Sequence, residues 1–347
     1  MTSDPNRSPW TEGPTTDVPP DSWGAALQYF TGSAEHNVRT REIAKTRGLK
    51  VTEYGVYQLA DGVRVAGDSE EGVYAALGMA PPPPEVRENA GEVELALDGR
   101  VPSLVTLEDI RGDLHAHTDA TDGRSSLEQN RAKAAQLGYE YIACSDHAYE
   151  LRMVGGLDRF ELEEQWARIE ELNARRDGPF VLKAIELNID DEGGVDYPEE
   201  LLARFDLCIA SLHAGWNQPR EQATRRLLRA MENPYVDIVG HPTGRLLGRR
   251  EPFDLDIEAV LETAGRTGTI MEINASTDRL DLSDVHLRMA RRHGVRVAIC
   301  TDAHEATQFN FMRWGVATAR RGWMSAADVL NAQPLDVLRT WLKRSRA

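Results

Sequence analysis

The chain has 347 residues, 41% of them hydrophobic, so it is long enough for one large domain and a second, small one. Its formal net charge of −16 argues against a general nucleic-acid coat protein, which would be basic. No apolar run approaches the roughly 20 residues that cross a bilayer, and the first residues lack the apolar core of a signal peptide. Three cysteines in apolar runs and no CxxC pair indicate reduced thiols, so we expect a cytoplasmic protein without a membrane partner.

The front of the chain is predicted to contain a tail, a small ordered segment and a linker. Residues 1–22 are rich in Pro, Thr, Ser and Asp, which is typical of a disordered tail. The ordered segment, 23–80, has helical and strand-like patterns. Residues 81–107 begin with four prolines and continue with polar and acidic sequence, which predicts a linker.

Within the ordered segment, Ser33 is expected to cap a helix that ends near Arg47, and His36 on that helix is expected to face solvent. Two short alternating strands follow around 51–57 and 62–65. A second short helix is predicted for 69–77. This part is small for independent stability.

From residue 108 to residue 347, strand-like runs alternate with helical patterns. The apolar strand-like runs lie around 110–115, 139–146, 180–186, 207–213, 236–241, 269–274 and 295–302. The helical patterns between them lie at 125–137, 158–175, 220–231, 255–264 and 282–293. Seven such repeats indicate an α/β domain whose parallel strands close into a barrel or a strongly curved sheet. Active sites in such barrels lie at the carboxyl ends of the strands.

Histidines and carboxylates are concentrated at these strand ends. Six of the seven runs end in such residues, and the remaining run ends at Asn274. Imidazole and carboxylate ligands without thiolates suit Zn²⁺, Mn²⁺ or Fe²⁺. We therefore predict a centre of two or three divalent metal ions held by His115, His117, Asp122, His147, Glu186, His213, His241, Asp302 and His304. The alternative is that these are hydrogen-bonded core histidines. It stays open for any single histidine, such as His213, but is disfavoured for six histidines at strand ends.

Other residues near these strand ends have predicted roles of their own. Arg245, Arg249 and Arg250 follow His241 and are predicted to bind substrate phosphate. Trp216 either stacks on a base or covers the barrel mouth, and Asp146 is predicted to orient a ligand. No side chain is assigned as catalytic, because bound metal ions would lower the pKa of water from about 15.7 toward about 7. The predicted reaction is metal-assisted hydrolysis of a phosphoester.

The same residues resemble the polymerase and histidinol phosphatase (PHP) superfamily over residues 108–347, with all nine ligand positions filled. The resemblance implies a distorted (β/α)7 barrel with a trinuclear metal site. The sequences Gly-Asp-Leu-His-Ala-His-Thr from Gly112 and Gly-His-Pro-Thr-Gly-Arg-Leu-Leu-Gly-Arg-Arg from Gly240 are similar to the PHP domain of bacterial family-X DNA polymerases. Tyr29-Phe-Thr-Gly-Ser and the following residues resemble the α+β thumb of those enzymes. Ala148 and Glu305 depart from the small hydroxylated residues expected there.

This resemblance implies DNA repair at 3′ ends: 3′–5′ exonuclease, 3′-phosphatase or abasic-site endonuclease activity. Only 28 residues precede Tyr29, too few for the palm of those polymerases, so the chain by itself is expected to lack polymerase activity. One alternative is a small-molecule phosphatase of the histidinol-phosphatase type, which the acidic composition favours. Another is an accessory module of a separately encoded polymerase subunit, for which an intact ligand set would be unnecessary.

Overall fold

The computed structural model describes residues 18–343, and the chain divides into two compact units, Met1–Pro102 and Ser103–Ala347. Most of the predicted tail, 1–17, lies outside the described residues, and Pro20–Ser22 form one turn of 3-10 helix. Between residues 18 and 343, no helix combines the length and the apolar character of a membrane span.

The first unit is a small α+β arrangement. Its helices are α1 (Trp23–Thr31), α2 (Ala34–Thr46), α3 (Glu70–Ala76) and α4 (Glu92–Leu97). An antiparallel sheet has its strands in the order β1 (Leu49–Thr52), β2 (Gly55–Gln58) and β3 (Arg64–Ala66). The cap of α2 is as predicted, because the Ser33 side chain accepts a hydrogen bond from the N–H of His36. The strand predicted for 51–57 is two strands, since a turn at Glu53 and Tyr54 joins β1 to β2.

The prediction that His36 faces solvent is wrong, and the segment predicted as a linker is folded. His36 is fully buried, with Nδ1 2.7 Å from Glu92 Oε1 and Nε2 3.0 Å from the Tyr74 hydroxyl. Glu92 begins α4, whose Val93 and Ala96 belong to the apolar core of this unit. The acidic sequence that predicted a linker therefore contains a buried carboxylate that needs His36 as its partner.

The second unit is a nearly closed parallel barrel, as predicted. Its strands are hydrogen-bonded in chain order: β4 (Gly112–Asp113), β5 (Tyr141–Cys144), β6 (Phe180–Asn188), β7 (Leu207–Ser211), β8 (Ile238–Val239), β9 (Ile270–Asn274) and β10 (Val297–Cys300). Between the first and last strands, a single bridge pairs Ala116 with Ala303, and His117 N donates to Ala303 O at 2.8 Å. These two contacts form a narrow seam between the two edges of the barrel.

Helices cover the outside of the strands. They are α5 (Leu127–Gln136), α6 (Arg159–Arg175), α7 (Glu199–Leu202), α8 (Arg220–Glu232), α9 (Ile257–Thr267), α10 (Asp284–Arg292), α11 (Met312–Arg321) and α12 (Leu335–Trp341). The five predicted helices are all present, with bounds that differ by a few residues. Helices α7, α11 and α12 were not predicted. The helix predicted for 158–175 begins where expected, because the side chain of Asp158 caps α6 by accepting from the N–H groups of Phe160 and Glu161.

Alternate residues of the barrel strands belong to two different apolar clusters. Leu182 and Ala184 of β6 belong to a small cluster of alternate strand residues, whereas Val181 and Ile185 belong to the larger cluster that includes the helices. Successive side chains of a strand point to opposite faces, so the small cluster fills the barrel interior. Glu186 has the parity of Leu182 and Ala184 and therefore points toward the interior.

Candidate metal centre

The alternation of side chains along a strand also indicates where the candidate ligands that follow other strands point. Ile209 of β7 belongs to the interior cluster, and His213 lies four residues later. Ala143 of β5 stands in the same relation to His147. Because these histidines follow the carboxyl ends of parallel strands, the loops bring them to one end of the barrel.

Glu186 lies at the centre of four histidines from four different strand ends. Its Oε1 is 2.9 Å from His241 Nε2 and 3.2 Å from His213 Nε2. Its Oε2 is 3.0 Å from His147 Nδ1 and 3.4 Å from His115 Nε2. A fifth histidine, His117, has its Nε2 3.6 Å from Oε2. The side chain of Glu186 is 1% exposed, so its buried negative charge depends on these neighbours for compensation.

Two aspartates complete the cluster from the other side. Asp302 Oδ1 is 3.1 Å from His117 Nε2, and Asp122 Oδ2 is 3.3 Å from His304 Nε2. All nine residues predicted from the sequence are thus brought into one continuous cluster. Three overlapping groups within it have ligand atoms less than 4.8 Å apart: His117, Asp122, His147 and His304; His115, His117 and Asp302; and His147, Glu186 and His213. His241 belongs to none of these groups and contacts Glu186 directly.

The donor atoms of this cluster fit divalent metal ions. Buried atoms without a hydrogen-bond partner are His115 Nε2, His117 Nδ1, Asp122 Oδ1, His147 Nδ1 and His241 Nδ1. Leaving so many buried polar atoms unsatisfied is costly, and a metal ion satisfies such atoms directly. Nitrogen and oxygen donors without sulfur are the ligands that Zn²⁺, Mn²⁺ and Fe²⁺ accept.

Several ligand histidines have an oxygen acceptor on the ring nitrogen that faces away from the cluster. His115 Nδ1 is 2.7 Å from Glu272 Oε1, and His213 Nδ1 is 2.6 Å from Asn188 Oδ1. A donated Nδ1–H leaves the Nε2 lone pair for a metal ion and fixes the ring orientation. Glu272 and Asn188 were not predicted as site residues. The available signal for Glu272 was a charged residue inside a fully buried strand, β9.

Comparison with known proteins identifies this architecture. Residues 113–276 match the model of the PHP domain, and residues 26–88 match the model of the DNA polymerase beta thumb. The chain is 36% identical over 203 residues to a probable phosphatase of Caldanaerobacter subterraneus subsp. tengcongensis, covering 55% of this chain and 75% of that protein. The chain belongs to the PHP family.

A longer relative includes both matched regions. The DNA polymerase/3′-5′ exonuclease PolX of Bacillus subtilis is 40% identical over 328 residues, which cover 94% of this chain and 57% of PolX. The chain thus spans little more than half the length of that relative. Among solved structures, histidinol phosphate phosphatase of Lactococcus lactis covers 62% of this PHP chain and 95% of its own, at 19% identity and a TM-score of 0.47. That likeness is too distant to assign a ligand.

Electrostatic interactions in the PHP centre oppose the effect of burial. Burial alone would raise the pKa of Glu186, but the surrounding histidines, His213 foremost, hold it well below its usual range. Burial would also lower the pKa of His147, yet Glu186 and Asp122 raise it to about 10. Without metal, Glu186 and His147 therefore form a buried ion pair, and a metal ion must displace the proton of His147 to bind there.

Two candidate ligands have backbone conformations that side chains other than glycine rarely adopt. His241 has a φ of +26° and Asp302 a φ of +53°. Such conformations cost roughly 1–3 kcal/mol each and persist where the surrounding structure imposes them. The strain coincides with the ligands themselves, which is typical of functional sites.

Asp146 acts on the loop that carries another candidate ligand. Its carboxylate accepts hydrogen bonds from Thr118 N at 2.7 Å and from the hydroxyl of Thr121 at 2.7 Å. It therefore orders the loop that leads to the ligand Asp122, and no hydrogen bond to the ring of the adjacent His147 is formed.

The three arginines predicted to bind phosphate have distinct surroundings. Arg245 donates Nε to Arg279 O at 2.8 Å, and it also donates to Leu280 O. Arg250 lies over the Trp216 ring at 3.4 Å from its centroid and donates to Gly244 O. The side chain of Arg249 is 71% exposed, with Nη1 3.3 Å from Asp278. The predicted cations therefore face different partners and do not form one patch.

Proposed function

We propose that this metal-dependent phosphoesterase acts on the 3′ ends of DNA, as a 3′–5′ exonuclease, a 3′-phosphatase or an abasic-site endonuclease. The observation that carries the proposal is the presence, in one chain, of a buried histidine–carboxylate centre and a segment that matches a polymerase thumb. A thumb is unnecessary for a phosphatase of small metabolites. The 3′-5′ exonuclease name of the PolX relative supports the same substrate class.

The proposed metal ligands are the nine residues of the cluster. His117 and His147 each belong to two of the three overlapping groups, which favours two or three ions over one. Mn²⁺ and Zn²⁺ are the proposed ions, with Fe²⁺ as a further option. When bound, such ions lower the pKa of water and offset negative charge on a phosphoryl group. The protein's own contribution is the fixed orientation of each imidazole by acceptors such as Glu272 and Asn188.

The proposed substrate contacts lie in the loop that follows His241. Arg249 and Arg250 are proposed to contact phosphates of the DNA strand, because one is largely exposed and the other keeps its guanidinium against Trp216. Trp216 also stacks on Phe253, with ring centroids 4.3 Å apart. We propose that Arg245, whose donors reach backbone carbonyls, supports this site by holding the loop.

A second candidate is a phosphatase of small phosphate esters. The net charge of −16 and the 36% identity to a probable phosphatase favour it. Such an enzyme would need the metal cluster but neither a thumb nor Arg249 and Arg250.

One side-by-side assay separates the two candidates. The chain is incubated with Mn²⁺ and, separately, 3′-recessed DNA, 3′-phosphate DNA, abasic DNA and histidinol phosphate. We expect DNA processing to exceed turnover of histidinol phosphate. The double variant Arg249→Ala/Arg250→Ala should reduce DNA processing more than hydrolysis of a small chromogenic phosphate ester. Turnover of the small phosphates alone, unaffected by that double variant, would replace the DNA proposal with the second candidate.

A further inference from the structure

A cation that was not predicted lies directly beside the metal centre. Arg279 follows β9 and has its Nε 3.4 Å from Oδ2 of the candidate ligand Asp302. Its side chain is 19% exposed. Among the side chains that the structure describes, which do not include that of Arg152, no other arginine or lysine forms an ion pair with any of the nine candidate ligands.

The guanidinium of Arg279 is only partly used by the protein. Its Nη1 is buried and has no hydrogen-bond partner. An arginine that is desolvated but keeps an unsatisfied N–H donor is costly unless an anion completes it. The Nε of Arg279 lies beside the candidate ligand Asp302, and its carbonyl oxygen accepts from Nε of Arg245 at 2.8 Å. Arg279 therefore lies between the metal ligands and the loop that follows His241.

Holding Asp302 in place does not account for Arg279. Asn274 Nδ2 already donates to Asp302 Oδ2 at 3.1 Å, so that carboxylate has a neutral partner within the strand layer. A cation used only to orient Asp302 would need no second, unsatisfied nitrogen.

The backbone that carries Arg279 is fastened to the loop after His241. Arg245 donates to the carbonyl oxygens of Arg279 and Leu280. Asp281 Oδ2 accepts from the N–H groups of Thr243 at 2.9 Å and Gly244 at 3.0 Å. A charged side chain on so constrained a segment is preorganised, which is what recognition of a compact anion requires.

We infer that Arg279 binds a non-bridging oxygen of the scissile phosphate through Nη1, and that Arg245 acts as a positioning residue for it. This inference rests on the proposed phosphoesterase function and names the residue that holds the phosphoryl group beside the metal ligands. Phosphomonoesters and phosphodiesters share this oxygen, so the role is independent of which one is hydrolysed. Arg249 and Arg250 are left for phosphates farther along the strand.

The test uses the full chain loaded with Mn²⁺ and inorganic phosphate as the probe. Arg279→Gln removes the charge, Arg279→Lys keeps the charge without the planar fork, and Arg225→Gln changes an exposed arginine of α8 as a matched control. Metal content is measured by elemental analysis and phosphate affinity by calorimetry. We expect normal metal content in all variants, about 10- to 100-fold weaker phosphate binding for Arg279→Gln, partial recovery for Arg279→Lys and no change for Arg225→Gln.

Three results would overturn the inference: no phosphate binding by the metal-loaded wild type, equal phosphate affinity in wild type and Arg279→Gln, or loss of metal in proportion to the loss of phosphate affinity. The last would show that Arg279 serves Asp302 alone. Failure of the DNA proposal is distinguishable, because Arg279-dependent phosphate binding without processing of DNA 3′ ends would leave the inference standing.

Discussion

His115 owes the availability of its metal-facing nitrogen to a carboxylate on another strand. Glu272 accepts from its Nδ1 at 2.7 Å and also accepts from the backbone N–H of His241. We expect Glu272→Gln to weaken Mn²⁺ or Zn²⁺ binding roughly tenfold or more, because partners of this kind raise ligand basicity. Metal titration of the chain measures the effect.

The matched control is Glu258→Gln, which alters an exposed glutamate–histidine pair of the same length, 2.7 Å to His293. Equal metal affinity in both variants would show that Glu272 is dispensable for the centre.

A second residue-scale prediction concerns the buried Glu92. Burial raises its pKa, but the hydrogen bond from His36 and the N–H groups of Ala90 and Asn89 outweigh burial and lower it. A lowered folded-state pKa gives stability that is present above the ordinary value near 4.5 and is lost as pH falls through the folded value. Hydrogen exchange of α2 and α4, corrected for intrinsic rates, should therefore show wild type losing its advantage over Glu92→Gln as pH falls from 7 to 3. A constant difference across that range would contradict the prediction.

The nine candidate ligands were predictable because a strand-end position and a ligand-type side chain coincide in the sequence. Arg279 lacked that signal: it lies in a loop, and its environment depends on the distant Asp302 and on carbonyl contacts made by Arg245. The burial of His36 could not be predicted from the sequence either, because its partner Glu92 is distant along the chain and lies in an acidic stretch.

At the scale of elements, the loop between β8 and α9 depends on a glycine. Gly244 has a φ of +62°, and a Cβ there would lie 2.7 Å from Trp216 Cζ3. We expect Gly244→Ala to destabilise the protein by roughly 1–3 kcal/mol and to reduce DNA processing, because Trp216 and its Arg250 partner must move. Urea unfolding and the DNA assay measure the two effects.

Gly248→Ala is a matched control in the same loop. Gly248 has a φ of +71°, but a Cβ there meets nothing within 4 Å. The backbone cost is thus shared, and only the steric contact differs. If both variants behave alike, contact with Trp216 is not what requires glycine at position 244.

The elements that could be predicted from the sequence are those with a regular hydrophobic period. The seven strands and five helices of the barrel repeat strongly in the sequence, and their positions were predicted within a few residues. Helix α7 has only four residues, and α11 and α12 follow β10, beyond the last predicted repeat. The β1–β2 turn was missed because alternation continues through Glu53 and Tyr54, and residue period alone cannot mark a reversal of direction.

At the scale of the whole molecule, an acidic chain that binds DNA must do so through few local cations. The net charge is −16, while the proposed DNA contacts are Arg249, Arg250 and the metal centre. We expect DNA processing to fall steeply as salt rises, because counterion screening weakens phosphate contacts. The comparison is hydrolysis of a small chromogenic phosphate ester in the same buffers. An equal response of both reactions to salt would argue against these contacts.

The narrow closure of the barrel has a consequence for how the protein opens. Among the described residues, the β-bridge that joins the two edges of the barrel is the pair Ala116 and Ala303, just beyond the ends of β4 and β10. The Thr301 hydroxyl, which donates to Asp113, reinforces it. His117 lies on one side of this seam and Asp302 on the other, so a metal ion held by both would join the two edges. Removal of metal should therefore loosen the seam before the rest of the barrel. In metal-free protein, amides of 112–117 and 297–303 should exchange with deuterium earlier than those of β7, whereas uniform acceleration would show that the ions stabilise the whole barrel evenly.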